Sequence, residues 1–475
     1  MQLEDIVTVK NTRAIWKKLQ TSIVPIVGKD DLANIIATVE SLVKSLGNNS
    51  YIPNIGHGYL GYLKNAGCTR FVPILTKEDM AVYYLLVLSL QDYIVRDLPG
   101  VYGAWRIVPK NAVKENSLEE ALDNQNNEEE HELVDPYFSD SFAKKAWFKD
   151  WTSFTDLLRE TCDDKSVGSY VLTSDIANFY DTIDINTLID RVRSTVQDSS
   201  EIISLLSYFL RFWDRRIKGY SASSKGIPQE IISDASRMLA NFYLRPFDES
   251  FINACNAEGV VYIRWADDIV IFGSSPAKLE RLMHRASRLL LNIGLNLSAA
   301  KTRHYTRSSF KKYRALDLIS AVNNKDYKRY LRELKSFDDR YGEDGGRIDT
   351  VLKASLNMLS NEPKSKTTFS LYFIEKHLAK YEFFCLLNEG QMLKKYKIFG
   401  DVKKNLRKDI DLLLMYPYAA PRATMLSFLS KYSKFLMAEG VSKVDIGKMI
   451  TLISLKNGGS EIIEEICAPA AEAKI

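Results

Sequence analysis

Two neighbouring aspartates, Asp267 and Asp268, stand between the apolar runs Tyr262-Ile263-Arg264-Trp265 and Ile269-Val270-Ile271-Phe272-Gly273. The pattern reads as a β-hairpin over 260–273 with both carboxylates at its turn. Adjacent like charges beside an apolar hairpin repel each other and resist desolvation unless a cation neutralises them. Hard oxygen ligands are what Mg2+ selects, and two-ion phosphoryl-transfer sites are made from such carboxylates. A solvated Asp-Asp turn is the competing reading, and this segment alone leaves both open.

A third carboxylate changes the balance. Tyr170-Val171-Leu172-Thr173-Ser174-Asp175 is a strand-like run ending in an aspartate, with Phe179-Tyr180-Asp181 just beyond it. Between that run and the hairpin, Gly226-Ile227-Pro228-Gln229 leads into a loop in which Ser233 and Asp234 can cap an amphipathic helix. In this order and spacing the three segments resemble motifs A, B and C of the reverse transcriptase palm. Gly294 to Thr302, which contains Lys301, is similar to motif D of that family. Thr69-Arg70-Phe71-Val72-Pro73-Ile74, followed by Lys77, resembles its fingers motif. Five ordered matches across residues 70–302 are far more specific than any single one.

The resemblance implies an α+β chain with a right-hand polymerase fold. Fingers and palm would be followed by an all-helical thumb and a C-terminal helical, repeat-like domain. The corresponding division is 1–164 for an N-terminal helical region and fingers, 165–308 for the palm, 309–350 for a basic thumb-like element, and 351–475 for the C-terminal helices. Asp175, Asp267 and Asp268 would be the catalytic carboxylates. Asp175 and Asp267, with the backbone carbonyl of Ile176, would bind two Mg2+ ions, Mn2+ being an alternative, and Asp268 would be the auxiliary ligand. Tyr180 falls where the family stacks an aromatic ring on the sugar and excludes a 2′-hydroxyl. Gln229 would touch the incoming nucleotide, Arg70 and Lys77 the triphosphate, and Lys301 would act as general acid toward pyrophosphate. Asp181 and Asp184 read as structural.

Two departures stand out. Trp265 replaces the Tyr or Phe usual two residues before the aspartate pair, and Glu230 follows Gln229 where the family has glycine. Neither removes a metal ligand, but both bear on how a template and a primer terminus would fit.

Within the family, the C-terminal helices resemble those of bacterial defence-associated and abortive-infection enzymes, with retron and group II intron enzymes as wider relatives. The implied activity is RNA-directed DNA synthesis in antiviral defence. The implied partners are dNTPs, an RNA template or noncoding RNA, and a DNA product, with a homo-oligomer or partner protein contacting the C-terminal helices. Template-independent or protein-primed synthesis by the same site, and an inactive nucleic-acid-binding scaffold, are the alternatives. No Cys/His-rich cluster of the HNH or ribonuclease H kind follows residue 310.

Composition is compatible with this. Lys plus Arg is 64 against 60 for Asp plus Glu, a net charge of only +4. An acidic insertion over 115–135 holds nine carboxylates and no Lys or Arg, which leaves the remainder clearly basic. Cys68, Cys162, Cys255, Cys385 and Cys467 are scattered without a CxxC pair, so neither zinc nor a disulfide framework is expected. No signal peptide and no apolar run of membrane-spanning length is present, so a cytoplasmic, membrane-free protein is expected.

The elements that must position these residues follow from periodicity. Helices are expected over 77–96 and 142–162, the first with Met80, Tyr83, Leu86, Leu90 and Ile94 on one face, the second packing Trp147, Trp151 and Phe154 into a core. The palm should contain a strand at 170–175, helices at 185–197, 201–213, 233–254 and 276–293, and a strand near 303–306. Beyond 310 the pattern is helical, and Lys311, Lys312, Arg314, Lys325, Lys328, Arg329, Arg332 and Lys335 make its start the most basic stretch, suited to a duplex backbone. Gly56-His57-Gly58-Tyr59-Leu60-Gly61 fits GxGxxG literally but lacks the strand before and the helix after, and reads as a loop.

Overall fold

The computed structural model describes residues 3–16, 19, 32–54, 58–65, 68–108, 146–197, 199–214, 226–229 and 234–456. The acidic insertion 115–135 and Glu230 lie outside them.

Among the described residues seven strands form two sheets. β1 (Gly58–Asn65) and β2 (Cys68–Ile74) make an antiparallel hairpin. β3 (Val101–Tyr102), β4 (Tyr170–Asp175), β5 (Val261–Trp265), β6 (Asp268–Gly273) and β7 (Arg303–Thr306) make a five-stranded sheet in the order β3-β5-β6-β4-β7. The strands at 170–175 and 303–306 and the hairpin arise where the sequence predicts them, from runs of β-branched and aromatic residues. The GxGxxG match meets a different end: from Gly58 it runs in β1, which turns straight back into β2, so no helix follows to hold a pyrophosphate.

The helices that follow in chain order are α1 (Leu3–Ile6), α2 (Leu32–Gly47), α3 (Lys77–Ile94), α4 (Ala146–Asp163), α5 (Phe179–Thr182), α6 (Ile185–Thr195), α7 (Ser200–Phe212), α8 (Asp234–Ala257) and α9 (Pro276–Leu291). After β7 come α10 (Arg307–Tyr313), α11 (Leu316–Asn323), α12 (Tyr327–Asp344), α13 (Ile348–Asn361), α14 (Thr368–Leu378), α15 (Tyr381–Phe384), α16 (Glu389–Phe399), α17 (Val402–Leu414), α18 (Ala419–Lys431), α19 (Ser433–Ala438) and α20 (Lys443–Lys456).

Alternate residues of the central strands enter different cores, as the two-residue period of a strand demands. Val171, Ile263, Val270 and Phe272 pack with Phe154, Leu158, Phe310 and Leu316. Leu172, Ile269 and Ile271 face a larger core shared with α2, α3, α6, α7, α8 and α9. α3 is buried on nearly every side from Met80 to Leu90, not on the one face that its spacing predicts. A helix apolar all round can sit inside a core when its few polar groups find partners. Here Tyr83 Oη pairs with Ser236 Oγ at 2.8 Å, and Gln91 Oε1 accepts from the Ile107 amide at 2.7 Å.

Helices from Ala315 to Ile453 share a second core, continuous across residue 350. The chain then closes on its own beginning: Ala419, Ala420 and Ala423 of α18 pack on Leu60 of β1. In the basic stretch several cations are engaged internally. Lys311 pairs with Asp163 at 2.7 Å and Asp317 at 3.0 Å, and Arg329 with Asp317 at 2.7 Å. Lys312, Lys328 and Lys335 make no ion pair among the described residues and are the charges open to a phosphate backbone. Among the described residues no helix is long and apolar enough to cross a membrane.

Candidate active site

Asp175 ends β4 directly opposite Asp268, the first residue of β6. Opposed residues of an antiparallel pair place their Cβ atoms about 5 Å apart on one face of the sheet. Asp267 occupies the turn beside them, and its carbonyl accepts from the Ile176 amide at 3.1 Å. The Ser298 amide donates to the Asp175 carbonyl at 2.7 Å, and the Ala177 amide to Asn296 at 2.8 Å, which ties the segment before Lys301 to the strand end.

Like charges so close leave a mark. The Asp267 carboxyl is pushed up to about 6, chiefly by burial and then by the charges of Asp175 and Asp268. Two cations flank the group. Lys301 Nζ lies 2.8 Å from Asp175 Oδ2, and the Arg314 guanidinium reaches Asp268 Oδ2 at 3.4 Å. Among the described residues no three His, Cys, Asp or Glu side chains are grouped so as to hold one ion as they stand. Asp175 is turned to Lys301 and Asp268 to Arg314. The donor set is nevertheless all hard oxygen, and the repulsion recorded at Asp267 is what a divalent cation would relieve, so the residues fit Mg2+.

The loop 226–229 docks on Tyr180, five residues after Asp175. The Ile227 amide donates to the Tyr180 carbonyl at 3.0 Å, and Trp213 Nε1 to the Gly226 carbonyl at 3.2 Å. Gly226 has φ +66°, and a Cβ there would lie 2.2 Å from the Tyr180 carbonyl oxygen, so no other residue allows this approach. Gln229 lies in this loop, and among the described residues its buried Nε2 has no partner. Burial raises the Tyr180 phenol, opposed by a hydrogen bond and the charge from Arg237, with a smaller effect of Arg70. Arg70 is therefore within electrostatic reach of Tyr180, and it is exposed on β2. Lys77 is not so placed: it is buried at the first turn of α3, only 6% exposed. Asp184 caps α6 by accepting from the Thr187 amide at 2.7 Å, the structural role its sequence position predicts.

Trp265 belongs to an aromatic cluster. Its ring centroid lies 5.1 Å from that of Trp151, 5.3 Å from Phe154 and 6.4 Å from Trp105. The larger indole fills space between β5, α4 and the segment after β3. Trp151 and Phe154 thus pack as expected, while side-chain contacts of Trp147 lie outside the described residues. Arg237 stacks on the far member of the cluster, 3.8 Å from the Trp105 centroid.

Four residues of the site escape the sequence motifs. Arg237 links Tyr180 to Trp105, Arg314 pairs with Asp268, and Arg264 with Asp248 lies beneath the turn. A basic residue at the start of the thumb stretch was visible as Arg314, yet nothing in its spacing pointed to the aspartate pair.

A family model described as reverse transcriptase (RNA-dependent DNA polymerase) matches residues 102–331, which hold Asp175, Tyr180, Gln229, Asp267, Asp268 and Lys301. Over this stretch, a little under half of the chain, the sequence is similar to a reverse transcriptase domain. No curated protein matches the chain. Among solved structures it is similar to the Candida tropicalis telomerase lacking its C-terminal domain, with 12% identity, 57% of this chain and 55% of that one covered, and a TM-score of 0.30. The chain thus spans about half the length of that protein. Telomerase of Candida tropicalis in complex with a fragment of telomeric RNA is 10% identical over 88% of this chain and 68% of that one, with a TM-score of 0.31. The corresponding Candida albicans complex is 9% identical over 88% and 70%, with a TM-score of 0.32. Likenesses this remote carry no argument about what the present chain binds.

Proposed function

We propose that the chain extends a 3′-hydroxyl with dNTPs by two-metal chemistry at Asp175, Asp267 and Asp268, within a bacterial antiviral defence system. The observation that carries the reading is the opposition of Asp175 and Asp268 across β4 and β6 with Asp267 at the adjoining turn. When bound, two Mg2+ ions would lower the pKa of the attacking hydroxyl and offset the charge of the leaving pyrophosphate.

The chain's own residues supply the rest. Asp175 and Asp267, with the Ile176 carbonyl, would hold the ions, and Asp268, restrained by Arg314, would complete the charge of the site. The 3′-hydroxyl gives its proton to solvent water, and its oxygen bonds to the α-phosphorus as the bond to the bridging oxygen breaks. Lys301 would give that departing oxygen its proton after leaving Asp175. Tyr180 would lie against the sugar, held by Arg237, and the unpartnered Nε2 of Gln229 is a donor for the nucleotide. Arg70, and not the buried Lys77, would take the triphosphate.

The defence setting rests on the resemblance of the motifs and C-terminal helices to those enzymes, and with it go a noncoding RNA partner and a cytoplasmic location. Exposed Tyr372, Met415, Met437, Val444 and Leu455 on the C-terminal helices support a contact surface for a second copy or a partner protein.

The test is incorporation of each labelled dNTP singly by purified protein with Mg2+, with and without co-purified RNA, beside a variant carrying Asp267→Asn and Asp268→Asn. Incorporation lost in the variant and on ribonuclease treatment establishes RNA-directed synthesis. Incorporation that survives ribonuclease instead assigns template-independent or protein-primed synthesis. Equal silence of both proteins across primers and RNAs leaves a nucleic-acid-binding scaffold.

A further inference from the structure

Beneath the aspartate turn lies a buried ion pair that none of the motifs assigns. Arg264, at 0% exposure, sits on β5 three residues before Asp267. Its Nε donates to Asp248 Oδ1 at 2.8 Å and its Nη2 to Asp248 Oδ2 at 2.6 Å, a two-pronged contact to α8. Tyr262 Oη, on the same strand, donates to Asp248 Oδ1 at 2.7 Å. Asp248 itself is 1% exposed. One prong of the fork is left over, and Nη1 donates it to the carbonyl of Ala266.

Ala266 is the residue whose conformation places Asp267. Its φ is +52°, the left-handed region that alanine enters only at a cost. It shares a two-residue hairpin turn with Asp267, where glycine or asparagine would be the intrinsic choice. Local preference does not select this turn, so the surroundings must impose it. Both peptide groups of Ala266 are pinned: its amide donates to the Tyr102 carbonyl at 3.2 Å, and its carbonyl accepts from Arg264. The Arg264 amide is fixed in turn by the Gly100 carbonyl at 2.8 Å. Gly103 allows the β3 segment to come this close, since a Cβ there would lie 2.9 Å from the Ala266 nitrogen.

We propose that Arg264, oriented by Asp248, is a positioning residue that holds Ala266 left-handed and so keeps the Asp267 carboxylate beside Asp175 and Asp268 against their repulsion. The inference rests on the reading of those aspartates as metal ligands. Arg264 touches neither metal nor substrate; it acts through one backbone carbonyl. A lysine has no fork with which to serve both Asp248 oxygens and the Ala266 carbonyl at once.

The experiment measures Mn2+ affinity by the electron paramagnetic resonance signal of free Mn2+, with no nucleotide present, in full-length protein whose unfolding transition is checked in parallel. Arg264→Met with Asp248→Leu removes the pair without stranding a buried charge, and Arg264→Lys keeps the charge but not the fork. The control is Lys395→Met with Asp409→Leu, which removes another buried pair, 2.5 Å apart, in the C-terminal helices. Both Arg264 variants should weaken Mn2+ binding by about 10- to 100-fold, the range for residues that support a ligand from behind, while the control binds as wild type. Incorporation assays should show the Mg2+ midpoint rising with little change in KM for dNTP. If the paired variant does not fold, the lysine variant decides. Wild-type affinity in a folded Arg264 variant, or an equal loss in the control, overturns the inference. Failure of the wild type to bind Mn2+ at all would instead overturn the metal-site reading on which it stands.

Discussion

Lys301 and Asp175 form an ion pair of unequal partners: the lysine side chain is 56% exposed, the carboxylate 9%. The cation can therefore leave for solvent or pyrophosphate, while the aspartate cannot follow. A divalent ion and Lys301 compete for the same Asp175 oxygen. Lys301→Met should lower the Mg2+ concentration at half-maximal incorporation severalfold while reducing the maximal rate by about 100-fold, the loss expected for a general acid. Steady-state incorporation over a Mg2+ series measures both, and a variant with unaltered rate removes Lys301 from the chemistry.

Asp267 makes the metal-free protein pH-sensitive. Its folded pKa of about 6 exceeds the ordinary carboxylate value, so the folded state binds the extra proton. Stability from this group is then fully present below the ordinary carboxylate range and is lost as pH rises from there through about 6. Asp267→Asn should stabilise the metal-free protein at pH 7.5 by about 1–3 kcal/mol while abolishing incorporation. The stabilising effect should fade below pH 5. Thermal unfolding in a chelator, run at both pH values, gives the answer, and a loss of stability at pH 7.5 would contradict the electrostatic account.

Tyr180 and Arg237 should separate two aspects of sugar selection. Tyr180→Ala should admit NTPs, whereas Tyr180→Phe should not, because the ring and not the hydroxyl blocks a 2′-oxygen. Arg237→Met removes the hydrogen bond to Tyr180 and the stack on Trp105, and should give an intermediate loss of discrimination. The ratio of dNTP to NTP incorporation ranks the three, and a phenylalanine variant as permissive as alanine would refute the steric reading.

Ala420 lies at the contact between α18 and β1 and is 3% exposed. Ala420→Trp should overpack that contact at a cost of about 1–3 kcal/mol. Hydrogen exchange should accelerate over 58–74 more than in β4 or β6. Uniform acceleration would mean that the two regions do not depend on each other locally.

The strands were the most legible part of the molecule. Residues 170–175 and 260–273 carry apolar runs rich in β-branched and aromatic side chains, and the structure forms strands there, with a shorter one at 303–306. The aspartates were legible because their chemistry and order are both specific. Arg314 was not, because its partner Asp268 is 46 residues away and only the packing of α10 against the sheet brings them together. The burial of Lys77 was not legible either, since a lysine's residue type says nothing of whether its helix is solvated. α3 shows how a periodic apolar face understates burial, since Val82, Tyr84 and Ser89 on its other sides are buried as well.

The packing of α18 on β1 also sets an order of events during synthesis. The apolar side of the first hairpin, with Leu60 at its centre, has no cover until residues 419–423 have left the ribosome. Contacts between such distant parts of a chain form late, because a long loop must close before they return any stabilisation. The hairpin is thus made long before it is sealed, and a nascent chain stopped short of residue 419 carries an exposed apolar strand pair, open to association with other chains.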